Sequence, residues 1–208
     1  MIGSMKSGLK SLWVRFWLRR SKFSGRYGDL QKLYATRDPW NLLSDKEQFR
    51  FEAVNDIVRN MAPACQSLLE LGCGEGIQTR KLLEVSRQVT GVDVSDLAIA
   101  RARQDVPGGE FYVGKAEDVS KMFAGRRFDL VTACEVLYYS DDIGTAIRGV
   151  QEVTDQLLVT SYAARAAHMR EHFSDADWDR LPDIACADTV WECYRWLRPK
   201  DAQYFDAQ

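Results

Sequence analysis

Residues 67–76, Ser67-Leu68-Leu69-Glu70-Leu71-Gly72-Cys73-Gly74-Glu75-Gly76, decide the fold. A short apolar run meets an acid and then three glycines at alternate positions. An apolar run of this length suits a strand buried on both faces. Glycines at its end permit a sharp turn into the next helix. They also leave bare backbone, with no Cβ, for a ligand to lie against.

From there the chain alternates between two patterns. Strands are expected at Ser67–Leu71, Gln88–Val92, Glu110–Val113, Phe128–Ala133 and Gln156–Ser161, and helices at Ile77–Ser86, Asp96–Gln104 and Ile143–Thr154. Strands separated by helices of about ten residues mean βαβ units. The expected class is therefore α/β: a Rossmann-like, doubly wound, mainly parallel sheet. Upstream, Asp38-Pro39 marks a turn, and Ser44–Asn60 reads as a helix with Phe49, Ala53, Val54, Ile57, Val58 and Met61 at helical spacing. Downstream, Tyr162–Phe173 reads as a helix and Thr189–Leu197 as a late strand. The domain is placed at 27–198, between a segment 1–26 and a tail 199–208.

The 208 residues carry 46% hydrophobic and 28% charged side chains and a net charge of -2, as expected of a globular domain with a real core. Segment 1–26 differs: it holds Lys6, Lys10, Arg15, Arg19, Arg20, Lys22 and Arg26 and no acid. Trp13, Phe16 and Trp17 interleave with its arginines, which suits an anionic membrane surface. Residues 5–22 are thus expected either to touch a membrane peripherally or to dock as a helix on the domain or a partner. The acidic remainder argues against nucleic acid. The apolar run is too short to span a bilayer and lacks a secretory cleavage pattern. The five cysteines include no C-x-x-C pair, so neither a disulfide framework nor a metal site is expected, and a cytoplasmic location follows.

The spacing of the glycine loop separates cofactors. Dinucleotide folds use G-x-G-x-x-G, with a pyrophosphate at the helix start. Here the spacing is G-x-G-x-G with Glu70 two residues ahead. A carboxylate there opposes a pyrophosphate and suits the cationic end of S-adenosylmethionine. Asp93 closes the second strand in Gly91-Val92-Asp93-Val94, where a carboxylate accepts both ribose hydroxyls. Lys115-Ala116-Glu117-Asp118 offers acids near an adenine amino group, and Cys134-Glu135-Val136-Leu137-Tyr138-Tyr139 would line the far wall. Each has a plainer reading. Asp93 or Glu135 would cap the helix that follows it, and Glu117 and Asp118 would be solvated loop acids.

Leu69–Gly76, Gly91-Val92-Asp93-Val94-Ser95 and Phe128-Asp129-Leu130-Val131 resemble the class I S-adenosylmethionine-dependent methyltransferase family. With Asp38-Pro39-Trp40 and Cys134–Tyr139, the resemblance is to the branch containing the rhizobial nodulation N-methyltransferase, which acts on a chitooligosaccharide, and polysaccharide-cluster methyltransferases. It implies that Glu70, Gly72, Cys73, Gly74 and Gly76 hold the methionine end of the cofactor and Asp93 the ribose. Val94 and Ala116 would flank adenine, and Glu117 would receive its amino group. Cys134 and Glu135 would face the methionine end or the acceptor. N-terminal helices would form a lid, with Trp40 on the cofactor and Arg50 on its carboxylate. The family's Pro-Gly-Gly turn before strand five is replaced by Thr154-Asp155-Gln156, and the region after Ser161 is short. A shortened C-terminal end is expected, through a reduced hairpin or a shorter helix.

An amine acceptor needs only to be neutral, whereas a hydroxyl needs a base. Candidates are Glu135, Tyr138, Tyr139, His168 and His172. The two histidines lie four apart, on one face of the expected helix, and with Glu171 spell H-x-x-E-H. A zinc hydrolase would leave the glycine loop unexplained. The pair is read as surface histidines or as an acceptor-site base, and the latter favours a sugar hydroxyl. The acceptor is expected to be a glycan or small molecule. The rival readings are an NAD-dependent oxidoreductase and a non-catalytic cofactor-binding module.

Overall fold

The computed structural model describes residues 27–199. Segment 1–26, with its expected helix and its membrane contact through residues 5–22, lies outside the described residues, as does the tail beyond Pro199. Seven strands form one sheet: β1 Ser67–Leu71, β2 Gln88–Asp93, β3 Gly109–Val113, β4 Leu130–Cys134, β5 Gln156–Tyr162, β6 Trp178–Cys186 and β7 Thr189–Leu197. Their order is β3-β2-β1-β4-β5-β7-β6. β1 to β5 are mutually parallel, and β7 runs antiparallel between β5 and β6. The helices are α1 Tyr27–Leu33, α2 Asp45–Met61, α3 Ile77–Leu82, α4 Asp96–Asp105, α5 Val119–Met122, α6 Ile143–Val153 and α7 Ala163–Ala166. No helix among the described residues is long and apolar enough to cross a membrane.

Strand pleating divides the core. Leu69, Leu71, Val131, Ala133, Leu157 and Val159 face α5 and α6, and Leu68, Leu130 and Leu158 face α2 and α3. A buried leucine contributes about 1.5–3 kcal/mol, so doubly covered strands such as β1 and β4 anchor the sheet. Glu70 shares the α2 face with Leu68. The chain winds outward from β1 to β3 and then returns to β4 on the other side of β1. That reversal is the topological switch point where open parallel sheets bind ligands.

Several expectations are corrected. On α2 the buried residues are Arg50, Phe51, Val54, Asn55 and Val58, while Phe49 is 49% exposed. The buried stripe is rotated because it carries Arg50 inward. β4 starts at Leu130, and Phe128 instead bridges Thr154. The final hairpin is not reduced, since both its strands run nine residues. The expected helix over Tyr162–Phe173 is what shortens, to α7 and a single 3-10 turn at Arg170–Phe173. Arg170 is drawn to Glu192 on β7, and Phe173 packs on Trp178 and Tyr194, so tertiary anchors turn the chain there. At the glycine-free turn before β5, Thr154 Oγ1 lies 2.9 Å from the Phe128 carbonyl and accepts from Gln156 N at 3.2 Å. Asp155 pairs with Arg127 and Arg198. Side chains thus fix a turn that glycines usually make.

Candidate functional site

The loop after β1 is pinned from β2. Gly72 and Cys73 donate their N–H groups to the Val92 carbonyl at 2.7 and 3.1 Å, and Gly74 N donates to Asp93 Oδ2 at 2.9 Å. Gly72 has φ 70° and Gly74 φ 52°. A Cβ on Gly72 would stand 2.6 Å from the Val136 side chain, and one on Gly74 2.8 Å from the Tyr34 hydroxyl. Both positions therefore require glycine for backbone and for space. The other Asp93 oxygen accepts from Ser95 N at 2.9 Å. Asp93 does not cap α4. Ser95 does so, accepting from Ala98 N at 3.2 Å. Burial pushes the Asp93 carboxyl up to about 6.

Above the switch point a cavity opens. Glu70, Gly72, Cys73, Gly74, Asp93 and Val94 line one part of it, and Ala116, Cys134, Glu135 and Tyr138 the rest, with Trp40 and Arg50 from the N-terminal elements. These expected site residues are brought together. The ionisable carboxylates of the wall are Glu47, Glu70, Asp93 and Glu135, against one guanidinium, Arg50. Glu70 accepts from the Thr79 hydroxyl, and burial lifts its carboxyl to about 7 against the pull of Thr79 and Arg50. Arg50 is 2% exposed and donates to Glu47 at 2.8 Å and to Gln78 Oε1 at 3.3 Å. A buried cation persists because it is paired. An acid-lined cavity selects a cationic ligand and opposes a pyrophosphate.

Glu135 follows β4 with φ 60°, a left-handed conformation that a side chain rarely adopts. Its Oε2 accepts from Tyr138 OH at 3.0 Å and from Tyr162 N at 3.1 Å. Its Oε1 is buried with no partner among the described residues. Burial lifts the carboxyl to about 7, opposed by Arg50, Tyr138 and Tyr162 N. Glu135 does not cap the next helix, because Asp142 accepts from Thr145 N at 2.8 Å and caps α6. Tyr138 is buried and its phenol is held well above its ordinary range by desolvation and by Glu135. Its hydroxyl donates to Glu135.

α1 and the following turn cover the cavity. Trp40 Nε1 donates to Tyr34 OH at 3.2 Å, and the Trp40 and Tyr139 rings lie 5.8 Å apart. Asp38 N donates to Glu75 at 2.6 Å, and Arg101 pairs with the other Glu75 oxygen. Glu117 is not on the cavity wall. Its carboxylate accepts from Tyr27 OH at 2.7 Å, Ser140 Oγ at 2.6 Å and Asp141 N at 2.8 Å. These donors hold its pKa below the ordinary value against a partial burial penalty. It fastens α1 to the loop after β4, beside the wall residues Tyr27, Ala116 and Ser140. Gly76 is likewise off the wall and gives α3 its left-handed N-cap at φ 77°.

His168 is exposed and His172 half-buried, and neither lines the cavity. The helix that would have aligned them is broken between them. Among the described residues no group of three His, Cys, Asp or Glu side chains could hold a metal ion. The sequence reading missed Tyr27, Tyr34, Leu42, Glu47, Gln78 and Trp191 on the wall. Gln78 stood next to the glycine loop and was a findable signal. Trp191 reaches the cavity only because β7 lies beside β5.

The profile of Nodulation protein S (NodS) matches residues 25–181. The chain is 29% identical over 167 residues to Nodulation protein S of Sinorhizobium fredii, a stretch covering 79% of this chain and 74% of that protein. It is 32% identical over 130 residues to Nodulation protein S of Azorhizobium caulinodans, covering 62% of this chain and 61% of that protein. The fold matches the crystal structure of N-methyltransferase NodS from Bradyrhizobium japonicum WM9 in complex with S-adenosyl-L-homocysteine. The TM-score is 0.71 at 23% identity, covering 85% of this chain and 100% of that one. Sheet order, glycine loop and relatives together define an S-adenosylmethionine-dependent methyltransferase. The chain belongs to the NodS family.

Proposed function

We propose that this chain transfers a methyl group from S-adenosylmethionine to an amine of a glycan or small molecule. The observation that carries proton removal is Glu135, a buried carboxylate on the cavity wall with one oxygen unpartnered among the described residues and a pKa of about 7, while the choice of an amine over a hydroxyl rests on the likeness to an N-methyltransferase. An amine arrives largely as its ammonium and must lose a proton before it has a lone pair to use. Glu135 holds that ammonium and takes the proton. The expectation of a sugar hydroxyl draws on the resemblance to polysaccharide-cluster methyltransferases and on the histidine pair, and the pair does not line the cavity. The likeness to N-methyltransferase NodS of Bradyrhizobium japonicum WM9 supports the amine instead.

The residues of the wall fit the cofactor. Glu70 meets the amino group of its methionine end and Arg50 the carboxylate, while Asp93 accepts from the ribose hydroxyls. Val94 and Ala116 flank adenine, and Trp40 and Tyr34 close the site against water. When bound, S-adenosylmethionine supplies a methyl already activated on a sulfonium. The S–CH3 bond breaks with its pair going to sulfur as the acceptor nitrogen forms the new N–CH3 bond. What the chain contributes is alignment, a dry cavity and a place for one proton.

The test is transfer of labelled methyl by the full chain to chitooligosaccharides with one free amine and to their fully N-acetylated counterparts. Label should enter the amine-bearing oligomer only. Equal labelling of the acetylated oligomer, which offers hydroxyls and no amine, would overturn the amine assignment.

A further inference from the structure

We infer that Gln78 is a recognition residue for the carboxylate of the cofactor's amino-acid tail, its Nε2 donating beside the Arg50 guanidinium; this rests on the cofactor reading above. Gln78 is the second residue of α3 and is 7% exposed. Its Oε1 receives Arg50 Nη1 at 3.3 Å. A guanidinium can only donate, so this contact fixes which end of the amide faces Arg50 and turns Nε2 the other way. Nε2 is buried and has no partner among the described residues. Gln78 lies on the cavity wall, so an acceptor held in the cavity is what would satisfy that donor.

The nature of the acceptor follows from its neighbours. Among the described residues of the wall, Arg50 is the one cationic side chain, against the carboxyls of Glu47, Glu70, Asp93 and Glu135. An anionic group is therefore best placed beside Arg50. The charge of Arg50 bears on Glu70, Cys134 and Glu135, the β1–β4 side of the site. Asp93 marks the β2 side, where the ribose belongs. A carboxylate offers two coplanar oxygens, one for the guanidinium and one for the amide. Arg50 Nε donates to Glu47 at 2.8 Å, which orients the guanidinium.

The experiment is calorimetric titration of the full chain with S-adenosylhomocysteine and with 5′-methylthioadenosine, which keeps the adenosine and thioether and lacks the amino-acid tail. Gln78→Met should weaken S-adenosylhomocysteine binding about tenfold and leave 5′-methylthioadenosine within about twofold. Equal losses for both ligands, or no loss for either, would overturn the inference. Should Gln78→Met fail to fold, Gln78→Glu keeps an oxygen for Arg50. It should bind 5′-methylthioadenosine normally and lose still more for S-adenosylhomocysteine. If the unaltered chain binds neither ligand, the cofactor reading itself falls and takes this inference with it.

Discussion

Glu135→Gln separates what this carboxylate does for the reaction from what it does to the fold. In the folded chain the carboxyl titrates at about 7 against an ordinary 4.5. Between those values the folded state binds more protons than the unfolded state, so stability falls as pH rises. The contribution of Glu135 is fully present below 4.5 and is lost as pH passes through 7. Ionising a carboxyl moved that far costs the fold about 3 kcal/mol, of which roughly 2.5 kcal/mol develops between pH 5 and pH 8. Glutamine escapes this, since it never ionises. Its amide leaves a donor unpaired, a penalty independent of pH. The quantity to read is therefore the change with pH in the difference between the two proteins. Glu70 and Asp93 are common to both and cancel. Thermal unfolding at pH 5 and pH 8 should show the variant gaining on the parent by roughly 5–10 °C at the higher pH. In parallel, the parent's kcat/KM should rise with pH around 7, and the variant should lose that limb along with about a hundredfold or more of its rate. A stability difference that is the same at both pH values would refute the claim that burial holds the Glu135 carboxyl above its ordinary range. A retained pH–rate limb would refute its role as proton acceptor.

Two further outcomes are expected. Gly72→Ala should destabilise the fold by about 1–3 kcal/mol through its positive φ, and more through the clash with Val136. Urea denaturation checks this, and a Gly72→Ala variant as stable as the parent would contradict the geometry. His168→Ala and His172→Ala should each leave kcat/KM within about twofold, as surface substitutions do; a tenfold fall in either would return the histidines to the acceptor site.

The parts of this fold legible in the sequence are those where local chemistry and tertiary placement agree. The β1–loop–α3 unit announces itself because its glycines serve turn, packing and ligand approach at once. Asp93 is legible because it ends an apolar run at a fixed distance beyond that loop. β6 is not, since Asp179, Arg180, Pro182 and Asp183 contradict strand propensity. It is an edge strand, where charge and proline guard an open edge. The register shifts between Leu181 and Ile184, around that proline. The bonds of Glu117 to Tyr27 and Ser140 are not legible, because only the folded chain brings those residues together. Arg50 is legible as a residue of the site and does line the cavity, but Gln78 as its partner depends on α2 and α3 crossing the same face of the sheet.

The position of β7 bears on how the protein is made. The strand that covers β5 is the last of the described strands to leave the ribosome, and the hairpin that brings it there precedes it only by β6. Until then β5, whose Leu157 to Ser161 are all buried in the finished protein, lacks one neighbour and presents an open apolar edge. Such an edge pairs readily with another copy of itself. The growing chain can complete the cofactor half of its sheet early, yet must wait for residues 189–197 before that half is safe from its own kind. A version truncated before Thr189 is therefore expected to aggregate, and light scattering against the full chain checks it.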